Sequence, residues 1–423
     1  MRTVMGVLMV LVAAGTVFGA ADDFPLPDGT TWCFLGDSIT AANLHTNYIE
    51  AYYHLRFPQY QYHFRQCGRG GSTLPEAIER FDSQIIIWSP DVVSLEMGFN
   101  GNQTKAEFTT DLGVVTDKTV ALGAESVYFS LHPKNQVGGG STQNDRADAF
   151  VEVGAARNLV TVDQFHDLLP IWEANLAAPT PVDLGYDGDG VHPGAVGHLL
   201  KTWEILTSMG APAEVSSARF DGAAGTVLSS SYCTVTNVAK TATGISFHRT
   251  DERMPIAFDD EALPALQLVP TLLDDISAYI LKVENLAPGE YKILIDGEES
   301  GRVTAAQLAA GYNMTEMTAG PIHDQLQLVR QLIRAKEGDN QPGEMSVSKA
   351  RSTATNYYNA GYRGEDLIAK VANYITGVNA LDVGIHQASQ PIPHDFEVVL
   401  VPEPATVALV GLGAMGLLRR RRP

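Results

Sequence analysis

The sequence predicts an α/β fold, a parallel sheet between layers of helices, followed by a second region of mixed strands and helices. Three observations predict it. Over residues 31–210, short apolar runs alternate with amphipathic stretches of helical period. Five such runs separated by helices imply parallel βαβ units, hence a three-layer α/β/α sandwich. After Gly210 the texture changes to runs rich in β-branched and aromatic residues, so a second unit follows the first.

The expected strands of the first unit cover residues 31–35, 60–65, 91–97, 126–131 and 159–162. The expected helices cover 47–56, 74–87, 105–122, 145–158 and 195–209. Gly113 weakens the third helix, since an interior glycine costs about 1 kcal/mol against alanine. In the second unit, residues 226–247 and 279–295 read as strands. Ala287-Pro288-Gly289 and Asp296-Gly297 punctuate the latter as hairpin turns. Helices are expected at 325–335 and 366–375, and 337–341 reads as a polar exposed loop. No internal repeat is visible. The expected organisation is a leader at 1–21, a first domain at 24–212, a mixed α+β accessory domain at 213–400 and a tail at 401–423.

At 423 residues with 45% hydrophobic content, the chain has ample material for two cores. Its formal net charge of −20 excludes nucleic acid as a partner, because binding phosphates takes a basic face. The same charge disfavours anionic lipid. Cys33, Cys67 and Cys233 are too few for a disulfide scaffold. Cys33 and Cys67 could bridge neighbouring strands, although buried free thiols suit them better. No CxxC or HExxH spacing appears, so no metal is expected.

Both ends carry address-like patterns. Arg2, the apolar run from Val4 to Ala14 and the small residues Gly19-Ala20-Ala21 form a secretory signal pattern. At the other end, Val401-Pro402-Glu403-Pro404 precedes an apolar run from Ala405 to Leu418 and the basic cluster Arg419 to Arg422. Those fourteen residues fall short of the about 20 that a membrane span needs. Together the three elements resemble the PEP-CTERM signal of Gram-negative bacteria. The resemblance implies a secreted or envelope-associated protein, cut by an exosortase and in the membrane only transiently.

Chemistry concentrates where the expected strands end. Gly36-Asp37-Ser38-Ile39-Thr40 follows the first strand, placing a serine hydroxyl at the carboxyl edge where open α/β sheets bind ligands. GxSxG is absent, which excludes the nucleophile elbow of the α/β-hydrolase type. Asp189-Gly190-Val191-His192-Pro193 supplies, from one loop, an imidazole to take a serine proton and a carboxylate to orient it. The carboxylates Asp183, Asp187 and Asp189 do not follow the EF-hand order of ligands. Between these loops lie two oxyanion candidates, the glycine-rich Gly68-Arg69-Gly70-Gly71-Ser72-Thr73 and Gly98-Phe99-Asn100. No Gly-Lys-Ser/Thr follows the first, so it is no phosphate cradle. His132 follows the fourth strand and reads as a structural histidine, as do His45, His54 and His63. Trp32 reads as core.

These elements, in this order, resemble the SGNH/GDSL hydrolase superfamily across roughly residues 30–210. The resemblance implies a flavodoxin-like sheet, Ser38 as nucleophile, Asp189 and His192 as its partners, and an oxyanion hole from Ser38, Gly71 and Asn100. It implies no cofactor. The segment YIEAYYHLRFP at 48–58 is similar to bacterial members of the superfamily. Two departures stand out: Gly101 occupies the place of an aspartate after Asn100, and Gln66 that of an asparagine. The expected activity is hydrolysis of a small-molecule or polysaccharide acyl ester, with deacetylation of a carbohydrate foremost. A lipase or lysophospholipase on the same fold and a non-catalytic glycan-binding surface protein are the alternatives.

Overall fold

The computed structural model describes residues 26–186, 188–338 and 345–402. The leader-like residues 1–21, Asp187, part of the 337–341 loop and the tail from 403 onward lie outside the described residues.

The first half runs β1 (Thr31–Gly36), α1 (Ser38–Ala41), α2 (His45–Arg56), β2 (His63–Gly68), α3 (Leu74–Gln84), β3 (Val92–Glu96), α4 (Lys105–Ala121), β4 (Glu125–Phe129), α5 (Ser141–Arg157), β5 (Thr161–Val162), α6 (Gln164–Ala177) and α7 (Ala195–Ser208). The five strands pair in parallel in the order β2-β1-β3-β4-β5. The strand order reverses between β1 and β3, so a crevice opens at their carboxyl ends. Alternation along β1 explains the three layers. Trp32 and Phe34 enter one core with Tyr48, Ile49, Leu199 and Leu200 of α2 and α7, while Cys33 and Leu35 enter another with Phe81, Leu112 and Phe150 of α3, α4 and α5. Trp32 is core, as expected, and its Nε1–H donates to Ser94 Oγ at 2.9 Å.

Several boundaries differ from expectation, each for a local reason. The Tyr60 N–H closes a turn onto the Phe57 carbonyl, so β2 starts only at His63. A 3₁₀ turn over Ile86–Trp88 replaces the last turn of α3 and ends at Ser89, just before Pro90. Helix α4 runs straight through Gly113, where a Cβ would stand 3.0 Å from the Arg157 guanidinium of α5. Helix α6 escaped the sequence reading because Pro170 lies inside it.

The second half runs β6 (Glu214–Asp221), β7 (Thr226–Ser231), β8 (Cys233–Lys240), β9 (Gly244–Asp251), α8 (Leu272–Ile276), β10 (Ala278–Glu284), β11 (Glu290–Ile295), β12 (Glu298–Thr304), α9 (Ala305–Ala310), β13 (Tyr312–Asn313), α10 (Pro321–Glu337), α11 (Val347–Asn359), α12 (Gly364–Ala388) and β14 (His394–Leu400). Two sheets result, β13-β10-β6-β7 and β12-β11-β14-β9-β8. Phe220, Phe247 and Phe396 stack between them. The Pro288-Gly289 turn therefore does not close a hairpin, because β10 and β11 belong to different sheets. Asp296-Gly297 does close one, between β11 and β12. Glu337, expected in an exposed loop, is buried at the end of α10.

The late helices return to the first sheet. Val347, Ala350 and Ala354 of α11, with Leu367, Val371 and Val378 of α12, share the core that holds Cys33 and Leu35. Asp382 of α12 pairs with Arg65 at 2.7 Å and His63 at 2.7 Å on the edge strand β2. Lys336 of α10 pairs with Glu50 of α2 at 2.5 Å. All three cysteines are buried free thiols, so the Cys33–Cys67 bridge is not formed. Among the described residues, no helix is long and apolar enough to cross a membrane.

Candidate active site

Ser38 stands at the switch point because β1 ends in a turn that only glycine fits. A Cβ on Gly36 would lie 2.8 Å from the Glu96 carbonyl and closer still to Thr40 Oγ1. Asp37 then caps α1, its Oδ1 accepting from the Ile39 N–H at 3.0 Å. Asp37 is 1% exposed. Burial and then the nearby Glu96 push its carboxyl up to about 6, against the opposing pull of N–H donors and Lys201.

Asp189 and His192 approach from the loop before α7. Asp189 Oδ1 accepts the N–H groups of Val191 at 2.7 Å and His192 at 3.0 Å, and its Oδ2 lies 2.5 Å from His192 Nδ1. The His192 N–H, then its ring and the Val191 N–H, hold this carboxyl well below the usual range. An ionised carboxylate only accepts, so Nδ1 carries the proton and Nε2 presents a lone pair. That Nε2 lies 2.7 Å from Ser38 Oγ. The three side chains predicted from sequence are thus brought into hydrogen-bonded series, with the geometry a serine nucleophile needs. The His192 and Asp189 side chains are 43% and 46% exposed, so the site is open.

The loops that carry the two oxyanion candidates meet each other. Gly71 sits exposed between β2 and α3, where Thr73 caps α3 in a reciprocal box with Glu76. Asn100 Nδ2 donates to the Ser72 carbonyl at 3.2 Å, tying its loop to that of Gly71 and leaving the second amide hydrogen for a ligand. Gln66, in the place of an asparagine, bridges the same region: its Nε2 donates to the Thr40 carbonyl at 3.0 Å, and its Oε1 accepts the Gly68 N–H at 3.1 Å.

Three buried or half-buried arginines hold these loops, and the sequence reading passed over all of them. Arg146 of α5 donates to the carbonyls of Gly98, of Asn100 at 3.2 Å and of Gly101 at 2.8 Å. It therefore braces the Gly98–Gly101 loop through its backbone carbonyls. Arg80 of α3 donates to the carbonyls of Gly36 at 2.7 Å and Cys67 at 2.6 Å, clamping the ends of β1 and β2. Arg351 of α11 donates to the carbonyls of Gln66 at 2.7 Å and Gly68 at 2.9 Å. The available signal was a cation set within an apolar helical stripe, as Arg80 is between Ala77 and Phe81 and Arg146 precedes Ala147 and Phe150 on the buried face of α5.

Of the other histidines, His132 is fully buried, and its Nε2 lies 3.0 Å from the Val191 carbonyl. His45 is buried beside Glu96, and His54 is buried in α2. Of the three loop carboxylates, Asp183 accepts the Gly185 N–H at 2.8 Å and Asp189 serves His192, while Asp187 lies outside the described residues. Among the described residues no group of three His, Cys, Asp or Glu side chains converges as metal ligands would.

Comparison with known proteins adds a motif and a fold. Residues 400–422 match the PEP-CTERM protein-sorting motif. That motif marks proteins exported in Gram-negative bacteria and implies processing by an exosortase. No curated protein matches the chain. Among solved structures, BT4096, a gut microbial diltiazem-metabolizing enzyme, is similar over 90% of this chain and 100% of its own, with TM-score 0.68 at 19% identity. That likeness is one of fold, and it extends through the second half. Axe2, an acetylxylan esterase from Geobacillus stearothermophilus, covers 44% of this chain and 96% of its own, with TM-score 0.39 at 18% identity. LAE5, an alpha/beta hydrolase enzyme from the metagenome of Lake Arreo, Spain, covers 44% and 97%, with TM-score 0.38 at 17% identity.

Proposed function

We propose that the chain is an exported serine ester hydrolase of the SGNH/GDSL type, built on a flavodoxin-like domain at 24–212. The observation that carries this reading is the unbroken series from Asp189 Oδ2 through His192 to Ser38 Oγ, with contacts of 2.5 and 2.7 Å. His192 Nε2 takes the Ser38 proton as Oγ attacks the acyl carbon. The carbonyl oxygen becomes an oxyanion held by the N–H groups of Ser38 and Gly71 and by the Asn100 amide. Collapse breaks the ester bond, and His192 returns its proton to the departing alcohol. A water then gives a proton to His192 and attacks the acyl-enzyme, releasing the acid and restoring Ser38.

The substrate is a short acyl ester, foremost an acetyl group on a carbohydrate. A long acyl tail gains about 0.8 kcal/mol per CH₂ only against apolar walls. The loops around Ser38 instead carry the exposed Arg69, Gly70, Gly71, Gly101 and Asn102. Residues 1–21 act as a secretory leader, 213–400 as an accessory region, and 401–423 as the segment the exosortase reads. The test is covalent labelling with a fluorophosphonate. Wild-type protein reacts at Ser38, and Ser38→Ala neither reacts nor hydrolyses esters, a loss of about 10⁴–10⁶ in kcat. Retention of more than a few per cent of the activity by Ser38→Ala overturns the assignment.

A further inference from the structure

Beneath the catalytic loop lies a buried polar cluster that the hydrolytic steps do not use. His132, Lys201, Glu96, His45 and His198 are each at most 3% exposed. Lys201 of α7 pairs with Glu96 at the end of β3. Lys201 Nζ also lies 3.4 Å from His132 Nδ1. On the far side of the same ring, His132 Nε2 lies 3.0 Å from the carbonyl of Val191, the residue before His192. Phe99, beside Asn100, packs against the ring with centroids 4.7 Å apart. His45 Nε2 stands 3.0 Å from the second oxygen of Glu96, and the His198 ring stacks on His45.

Charge and hydrogen-bond chemistry leave the His132 ring one protonation state. A second proton on it is opposed by burial and by the adjacent ammonium, which hold it well below the ordinary histidine range despite Glu96. Glu96 itself stays ionised: burial raises its carboxyl, but Lys201 and His45 outweigh that and hold it below the usual range. An ammonium only donates, so Nδ1 must accept from Lys201. A carbonyl only accepts, so Nε2 must carry the hydrogen that reaches Val191. The two demands come from different elements, α7 and the catalytic loop, and they select the same tautomer.

We propose that His132 is a positioning residue for His192: Lys201 fixes its tautomer, and its Nε2–H pins the Val191 carbonyl, setting where the Asp189–His192 loop stands relative to Ser38. The proposal rests on the reading of Ser38 and His192 given above. The sequence Leu131-His132-Pro133 thus belongs to the active-site scaffold without touching substrate. The Asn135 N–H adds a second tie from the same segment, donating to the Gly190 carbonyl at 2.9 Å.

The experiment has two arms. In wild-type protein, long-range ¹H–¹⁵N spectra report the His132 tautomer directly. The expected result is the Nε2–H form, unchanged across the range where histidines ordinarily titrate. An Nδ1–H form, or a ring that gains a proton in that range, overturns the proposal. In the second arm, His132→Phe keeps the ring packing and deletes the donor, while His132→Gln restores an N–H. Misplacing a catalytic group by an ångström costs on the order of 10²-fold, so His132→Phe lowers kcat by about 10–100-fold with KM unchanged, and His132→Gln recovers most of the loss. Equal activity of wild type and His132→Phe, or a folded His132→Gln no better than His132→Phe, overturns the proposal. Fluorophosphonate labelling separates the two readings. If wild type fails to label at Ser38, the hydrolase reading falls. If wild type and His132→Phe label Ser38 equally fast, only the positioning role falls.

Discussion

Arg146→Met tests whether the brace under Asn100 matters to the reaction. The arginine is 1% exposed, and Nη1 and Nη2 together bond three carbonyls of the Gly98–Gly101 segment. Methionine keeps much of the stem packing and removes every donor. Gly98 is buried, so its carbonyl stays unpaired at a cost of about 1–3 kcal/mol. Gly101 is exposed and Asn100 half-buried, and water can replace the lost bonds at both. Global stability should therefore fall by that one term rather than by three. The catalytic cost has a natural ceiling, the loss of a single oxyanion donor, about 10²–10³ in kcat. Arg146→Met should lower kcat on p-nitrophenyl acetate by about 10-fold up to that ceiling, with little change in KM. A double-mutant cycle decides the route. If Arg146 acts through Asn100, then Asn100→Ala/Arg146→Met hydrolyses no more slowly than Asn100→Ala, within about 0.5 kcal/mol. Losses that add in full would refute the brace and give Arg146 a separate role.

Three further outcomes follow from the site. Gly101→Asp should lower activity and stability, because Gly101 has φ +82° and its Cβ would meet Thr73 Cγ2 at 3.1 Å; a thermal melt and kcat at or above wild type would refute this. Asp37→Asn should gain on wild type as pH rises. The folded-state carboxyl sits near 6 against 3.8 unfolded, so its contribution is fully present below the unfolded value and lost as pH climbs through 6. At 1.36 kcal/mol per unit the effect is about 3 kcal/mol, and denaturant titrations of both proteins at acid and neutral pH would show no divergence if the reasoning fails. Across acetyl, butyryl and octanoyl esters of one chromogenic alcohol, kcat/KM should fall, and a monotonic rise toward octanoyl would promote a lipase.

The first sheet and the gathering of Ser38, Asp189 and His192 were legible because their signals are local. A strand buried on both faces shows as an apolar run, and Gly36-Asp37-Ser38 and Asp189 to His192 each lie within one turn of chain. What escaped was set by distance or by burial of charge. Helix α11, over the largely polar stretch Val347–Asn359, was not predicted, yet its Val347, Ala350 and Ala354 bury against the first sheet's core. The Pro288-Gly289 turn is real, but which sheet receives the next strand depends on pairings more than a hundred residues apart, such as Ile293 with Val398. The apolar stripes around Arg80 and Arg146 mark them as buried, but nothing local reveals that their partners are strand-end carbonyls, or that Lys201 meets a buried carboxylate.

The position of the late helices bears on why the second half exists. Strand β2 is the open edge of the sheet, and its carboxyl end carries the Gly71 loop. An uncovered edge offers unpaired backbone groups and frays. Here Asp382 of α12 clamps Arg65 in the middle of that strand, and Arg351 of α11 takes the Gln66 and Gly68 carbonyls at its end. Two residues further on, the chain reaches the exposed Gly70 and Gly71. Arg351 and Arg80 both contact the Gln84 side chain, so the clamp on β2 and the clamp on β1 share a buried partner. The position of the Gly71 loop, from the first hundred residues, is thereby tied to a helix from the last hundred. A donor preorganised in this way loses no energy to reorganisation when charge develops on the substrate oxygen. On the proposed reading of Gly71, residues 347–388 of the accessory region brace the loop that carries it.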